Sequence, residues 1–456
     1  MLIFISLVIV VALMVLASSK FHVHPFLSLL FAGIVMGFIG GLSEVEVTKT
    51  LIDGFGSTLG SIGIIIAFGA IIGVYLERSG GAMALANWVI KKVGDKNAPL
   101  AMNLTGFVVS IPVYCDSGFI ILSSLIKAIS RKSGISLIVL GVSLAAGLYA
   151  THVFIPPTPG PLAAAAALDA DIGLVILFGL VVAVPVALTG MLWAKYIGSR
   201  AEAKDEGESG KTIVKEEDSG AVEESDSGKV RTELPKTYRS FAPILVPIIL
   251  IALNSIASYP ASPFGEGNLT DFLKFVGNPV IALLTGVILV FRLKGPQVTQ
   301  SHSHWVGEGL KQAGVIILIT GAGGAFGAIL RATGIGDFIG DRFSGLELGL
   351  LLPFIISAVL KTAQGSSTVA IITTAAIVAP ILESFGLDSA TGRALTVLSV
   401  GAGAMTVSHI NDSFFWVVSQ FSGMDTNTAL KSQTVATLLQ GLVGALIVMG
   451  LGLVFI

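Results

Sequence analysis

The chain has 456 residues, 53% of them apolar and only 12% charged, with a formal net charge of −2 and a mean hydropathy of +0.88. A soluble globular protein carries about 25% charged residues, so this composition excludes a soluble enzyme, a nucleic-acid binder and a disordered chain. At about 20 residues per spanning helix the apolar content fills roughly ten to twelve spans, and the single cysteine, Cys115, leaves no disulfide framework, thiolate zinc site or iron–sulfur cluster.

Residues 1–17 are apolar, but no basic residue precedes them, so they read as a first transmembrane helix rather than a signal peptide. Further spans are expected near 25–41, 58–76, 135–155 and 171–195. Residues 99–127 are also apolar but are interrupted at Pro112–Asp116. Basic residues flank that stretch on both sides (Arg78, Lys91, Lys92 and Lys96 before it; Lys127, Arg131 and Lys132 after it). Both flanks favour the cytoplasm, which predicts a re-entrant hairpin. Residues 199–240 hold 19 of the 56 charged residues and read as a solvated, largely disordered tether between two membrane units, 1–198 and 241–456.

The second unit repeats the first. His24–Pro25 returns as Asn278–Pro279, and Gly73–Gly80 as Gly327–Gly334, both 254 residues later. Ser143–Gly147 matches Ser399–Gly403, and Thr151–His152 matches Ser408–His409, at offsets of 256 and 257. A second interrupted segment lies within 350–382, broken at Lys361–Ser367. With the linker cytoplasmic, 21 basic residues fall in inside loops and five outside (Lys49, Lys274, Arg331, Arg342, Arg393), while Lys361 alone falls within the membrane. The expected fold is therefore an all-α polytopic membrane protein of two inverted-topology repeats. Each repeat contains a re-entrant hairpin and a broken transmembrane helix. Such folds place substrate near the midplane, where half-helix ends meet.

Few polar groups fall in the apolar regions, and an ionisable one there is a functional candidate by default. Asp116 and Asp412 are the only two of the 29 acids so placed. In the first break Pro112 removes a helix hydrogen bond and Gly118 permits a turn. Asp116 and Ser117 then sit at a helix start, as a cap or as a proton or substrate group. In the second break, Gln364, Gly365, Ser366, Ser367 and Thr368 precede an apolar helix whose free N–H groups suit an anion such as a carboxylate. Lys361 either reaches the surface or pairs with Asp116 or Asp412. Four prolines between 156 and 161 unwind the chain after Thr151 and His152, leaving Thr158 at that depth. The equivalent stretch runs Ser408–Ser413, with His409, Asn411, Asp412 and Ser413. Both histidines are candidate proton carriers. Cys115 reads as a small packing residue, and His302 and His304 as loop residues.

Four stretches, Tyr114–Phe119, Thr151–Pro161, Ala363–Ala370 and Ser408–Ser413, resemble the gluconate permease (GntP) family of the ion transporter superfamily, and with their spacing they span most of the chain outside the linker. The family often has an apolar residue where Ser117 stands and a small one where Phe414 stands, departures that bear on substrate identity. The resemblance implies proton-coupled import of a hydroxylated carboxylic acid across the inner membrane. Gluconate is the type substrate, and other sugar acids, glycerate or D-serine are taken by related members. It also implies a scaffold with a moving transport domain, usually in a homodimer. On this reading the partners are a small carboxylate, a coupling proton and the bilayer, with no cofactor, metal or nucleic acid. The hydroxyls and N–H groups of Gly365–Thr368 would hold the carboxylate. Asp116, Ser117, Thr151, Thr158, Gln364, Asn411 and Ser413 would complete the substrate site. Asp116 or Asp412, helped by His152 or His409, would carry the proton. Sodium coupling is the nearest alternative. A channel would need a continuous polar pore, and an enzyme a nucleophile–base pair or a metal motif; the adjacent Ser408 and His409 face different ways on a helix.

Overall fold

The computed structural model describes residues 2–21, 23–94, 97–205, 234–258, 264–265, 267–293, 302–335 and 349–456. Every described element is helical. The first half comprises α1 (Leu2–Ser19), α2 (Pro25–Ile39), α3 (Glu44–Arg78), α4 (Gly81–Val93), α5 (Ala98–Val109), α6 (Cys115–Ser133), α7 (Leu137–Phe154), α8 (Pro159–Ala167) and α9 (Ile172–Asp205). The second comprises α10 (Thr237–Ala257), α11 (Asn268–Val276), α12 (Pro279–Val290), α13 (His302–Ala332), α14 (Leu351–Gln364), α15 (Ser367–Val378), α16 (Ala390–Met405), α17 (Ser413–Phe421) and α18 (Thr426–Phe455), the last with a π-turn over 430–434.

Among the described residues five helices are long and apolar enough to cross a membrane, seven if each of two bent pairs counts as one span, and five more are shorter and apolar. Helix α9 continues to Asp205 and α10 begins at Thr237, so regular structure enters both ends of the predicted linker. Residues 206–233 of that linker, and Arg342, lie outside the described residues.

Local chemistry sets the boundaries. Pro25 and Pro279 each open a helix at the first position, where a missing N–H costs nothing. The preceding His24 and Asn278 side chains accept from Phe26 N (3.3 Å) and Val280 N (3.0 Å). Ser43 and Glu46 form a reciprocal cap on α3. Helix α7 stops at Phe154, two residues before Pro156, and α8 restarts with Pro159 at its first position.

From Val139 to Phe154 of α7 and from Ala394 to Met405 of α16 every residue is buried, and most are apolar or small. A helix without a polar face belongs in the core. Buried amides bind neighbours to it: Asn103 Nδ2 donates to Ser143 O (2.9 Å) and Ala187 O (3.0 Å), and Gln440 Nε2 to Ala146 O (3.0 Å) and Val186 O (3.1 Å).

Two pairs of helices, each pair with one helix from either half of the chain, pack closely. Along α3 and α13, Gly54 lies against Ala328, Phe55 and Leu59 against Gly321, Gly63 against Ile317, and Ile71 against Gly309, so the two run antiparallel. Gly63 and Ile317 are 254 residues apart, the offset expected from the sequence. Likewise Gly401 packs on Val153 and Phe154, and Tyr149 Oη donates to Ala404 O (3.4 Å), joining α7 and α16 at positions 255 apart.

Candidate functional site

The breaks converge. The chain leaves helix between α5 and α6, α7 and α8, α14 and α15, and α16 and α17. Residues from these regions enclose a cavity of about 260 Å³, lined by Tyr114, Cys115, Asp116, Tyr149, His152, Gln364, Gly365, Ser366, Ser367, Thr368, Asn411, Asp412, Ser413 and Phe414.

One wall is the start of α15. Ser366 caps it, its Oγ accepting from Val369 N at 3.3 Å. The backbone N–H groups of Ser367 and Thr368, in the first turn, have no intrahelical acceptor, and both residues face the cavity. They carry the helix's partial positive charge without a full cation. Gly365 makes the turn possible. Its φ is +83°, and a Cβ there would lie 2.1 Å from Asn411 O, which is backbone. Gly365→Ala is therefore expected to lower stability by about 1–3 kcal/mol and to push the 411 loop off this wall. Gly423→Ala, at a similar φ of +66° but in open space, should melt closer to the wild type; equal melting shifts in detergent would refute the close-packing argument.

Behind that wall lies Lys361, with a fully buried side chain. Its Nζ donates to Asp412 Oδ2 (2.6 Å) and to Gly365 O, and stands 5.9 Å from the centroid of the Tyr149 ring. Of the fates open to this lysine, the structure selects pairing with Asp412. Asp412 also accepts from Ser408 Oγ and, through Oδ1, from Phe414 N (3.1 Å), which caps α17. Its carboxylate is thus enclosed by three donors, one of them a full cation.

Asp116 is placed differently. Helix α6 begins at Cys115 with Tyr114 at its cap position and no side-chain cap bond, so Asp116 occupies the first turn and is not the cap. Its Oδ1 is buried without a hydrogen-bond partner among the described residues, as are Tyr114 Oη, His152 Nδ1 and Gln364 Nε2. All four residues line the cavity. Such groups need partners, and a ligand rich in hydroxyls supplies both donors and acceptors. His152 is stacked on Tyr149 (centroids 6.5 Å apart, planes at 15°) and lies 6.2 Å from Tyr114, while Tyr149 packs on Phe414 at 5.2 Å.

Ten of the candidate residues therefore meet in one cavity: Asp116, His152, Gln364, Gly365, Ser366, Ser367, Thr368, Asn411, Asp412 and Ser413. Four stand outside its lining. Ser117 is one residue further along α6. Thr151 Oγ1 turns back to Gly147 O and Leu148 O, and Thr158 Oγ1 donates to Ile155 O (2.7 Å). His409 Nε2 is 2.9 Å from Thr362 O, where Asn411 Nδ2 also donates (2.9 Å). Sequence reasoning did not select Tyr114 or Tyr149, read Cys115, which also lines the cavity, as a packing residue, and singled out Phe414 only as a departure from the family pattern. Aromatic residues in an apolar run carry little signal of their own, although Tyr114, Tyr149 and Phe414 sit within or beside the motif stretches.

A family profile described as "GntP family permease" matches residues 1–454. The chain is 34% identical to a gluconate permease of Pseudomonas aeruginosa, over 98% of this chain and 97% of the relative. It is 36% identical to the inner membrane permease YgbN of Escherichia coli (96% and 95% covered) and 31% to that organism's Gnt-II system L-idonate transporter (97% and 98%). Among solved structures, the YdaH transporter of Alcanivorax borkumensis superposes with a TM-score of 0.66 over 95% of this chain and 99% of that one, at 14% identity. At that identity the likeness concerns the fold. The family match points to a transporter rather than an enzyme.

Proposed function

Because this chain belongs to the GntP permease family, we propose that it is a multi-pass inner-membrane transporter that imports gluconate or a closely related hydroxylated carboxylate in symport with a proton. Relatives named as gluconate and L-idonate transporters support the substrate class. One observation carries the coupling. Lys361 is committed to Asp412, so those charges cancel, whereas Asp116 has a free carboxylate oxygen in the same cavity. An anion entering beside an ionised Asp116, about 5 Å away, meets roughly 3 kcal/mol of repulsion at an effective dielectric of about 20. Protonating Asp116 removes that repulsion, so anion and proton enter together. The substrate carboxylate then rests on the first-turn N–H groups of Ser367 and Thr368, and its hydroxyls meet Tyr114, His152, Gln364 and Asn411.

We read residues 1–198 and 241–456 as inverted repeats. The antiparallel crossing of α3 with α13 at Gly63 and Ile317, and the contact of α7 with α16 at Tyr149 and Ala404, support this, since residues at or within one or two positions of the repeat offset meet where a two-fold axis would pass.

The test is uptake of labelled gluconate by proteoliposomes. An inward proton gradient should drive accumulation, a protonophore should abolish it, and replacing sodium with choline should leave it unchanged. Accumulation that survives collapse of the pH gradient but needs sodium would overturn the coupling.

A further inference from the structure

A second cavity, of about 210 Å³, lies at the other end of α15. That helix starts at the central cavity with Ser367, and its Ala376 lines the second cavity nine residues on, about 14 Å along the axis. Ser57, Thr58 and Ser61 of α3 face it, and Arg331, in the last turn of α13, stands at its edge. Arg331 is exposed and has no ion pair or hydrogen bond to any described residue. A cation in the last turn complements the α13 dipole, but that does not account for three hydroxyls facing a cavity in an apolar stretch. Ser57 Oγ and Ser61 Oγ donate to Gly54 O (3.2 Å) and Thr58 O (2.9 Å) of their own helix, which leaves their lone pairs as acceptors.

The chemistry is that of an oxyanion site with hydroxyl acceptors beside it. Among the described residues, the central cavity has no uncommitted lysine or arginine to attract an anion from a distance, and this one does. The distribution of basic residues puts Arg331 on the outer face. We propose that Arg331 with Ser57, Thr58 and Ser61 forms an outer waiting site, where the hydroxylated carboxylate is collected before it reaches the central cavity. This rests on the transport function proposed above. The carboxylate binds the guanidinium, and the substrate hydroxyls donate to the serine and threonine oxygens. A lipid headgroup phosphate shares the oxyanion chemistry but uses fewer of those acceptors.

The test is gluconate uptake by proteoliposomes of pure phosphatidylcholine at low and high ionic strength. It is paired with gluconate affinity of the solubilised protein by thermal-shift titration. Arg331→Gln should raise KM roughly tenfold at low salt, with the gap closing at high salt. Arg331→Lys should retain most of the wild-type KM, and solubilised affinity should be unaltered in both. An unchanged KM in Arg331→Gln overturns the waiting site. So does an equal loss of solubilised affinity, which would place the effect at the central cavity. A KM gap that appears only when anionic phosphatidylglycerol is added assigns the site to a headgroup and also overturns the proposal. If the wild type takes up no gluconate, the transport reading fails and this proposal with it; wild-type uptake with an unchanged variant KM sinks the waiting site alone.

Discussion

Lys361→Met is expected to destabilise the protein by about 3–5 kcal/mol, and Asp412→Asn by a similar amount, because each leaves its partner charge buried and unpaired. The double variant Lys361→Met/Asp412→Asn should recover most of that loss. It buries no net charge, and the substituted amide retains an oxygen that can accept from Phe414 N. A double-mutant cycle on thermal melts in detergent should give a coupling energy of at least about 2 kcal/mol. The double variant also leaves the summed charge around the cavity where it was, so proton-driven uptake should return with stability. Additive destabilisation would show that the pair does not exist in the membrane. Restored stability without restored uptake would show that one of the two residues acts on the substrate directly.

Asp116→Asn has the opposite signature. It removes a buried carboxylate that has one oxygen without a partner, so stability should hold or rise even though the contact with Ser413 is altered. Substrate binding should persist and lose its dependence on a bound proton. Uptake against a gradient, driven by an inward proton gradient, should fall by at least tenfold, while exchange of internal for external gluconate continues. Accumulation by Asp116→Asn with a wild-type pH profile would exclude this carboxylate as the coupling group and return attention to Asp412 and the histidines. The two experiments separate the two acids. On the proposed reading, the loss of Asp412 is repaired by removing its partner, whereas the loss of Asp116 shows in uptake rather than in stability.

The spans and their interruptions were legible because they follow from local causes. Pro156 ends α7 through its own ring, and His24 and Asn278 cap the helices that begin at the next residue. The convergence of both breaks was legible for a related reason: irregular backbone in a bilayer must face protein or water, so the interrupted segments had to meet. The sequence left Asp116 as either a cap or a proton or substrate group; Tyr114 takes the cap position, so Asp116 falls in the first turn of α6 and lines the cavity.

What sequence alone determined here was where the main apolar helices lie, where two of them are interrupted, and which few polar residues fall in apolar segments, because propensity, capping and hydropathy act over a handful of neighbouring residues. Only the tertiary structure decided that Lys361 belongs to Asp412, 51 positions away, and leaves one oxygen of Asp116 without a partner among the described residues. It also turned Thr151 and Thr158 back on their own backbone, and brought Tyr149, from the centre of the molecule, to the cavity wall. Coulombic pairing and side-chain direction depend on distances between segments remote in sequence, and those distances exist only once α7 and α16 have packed together.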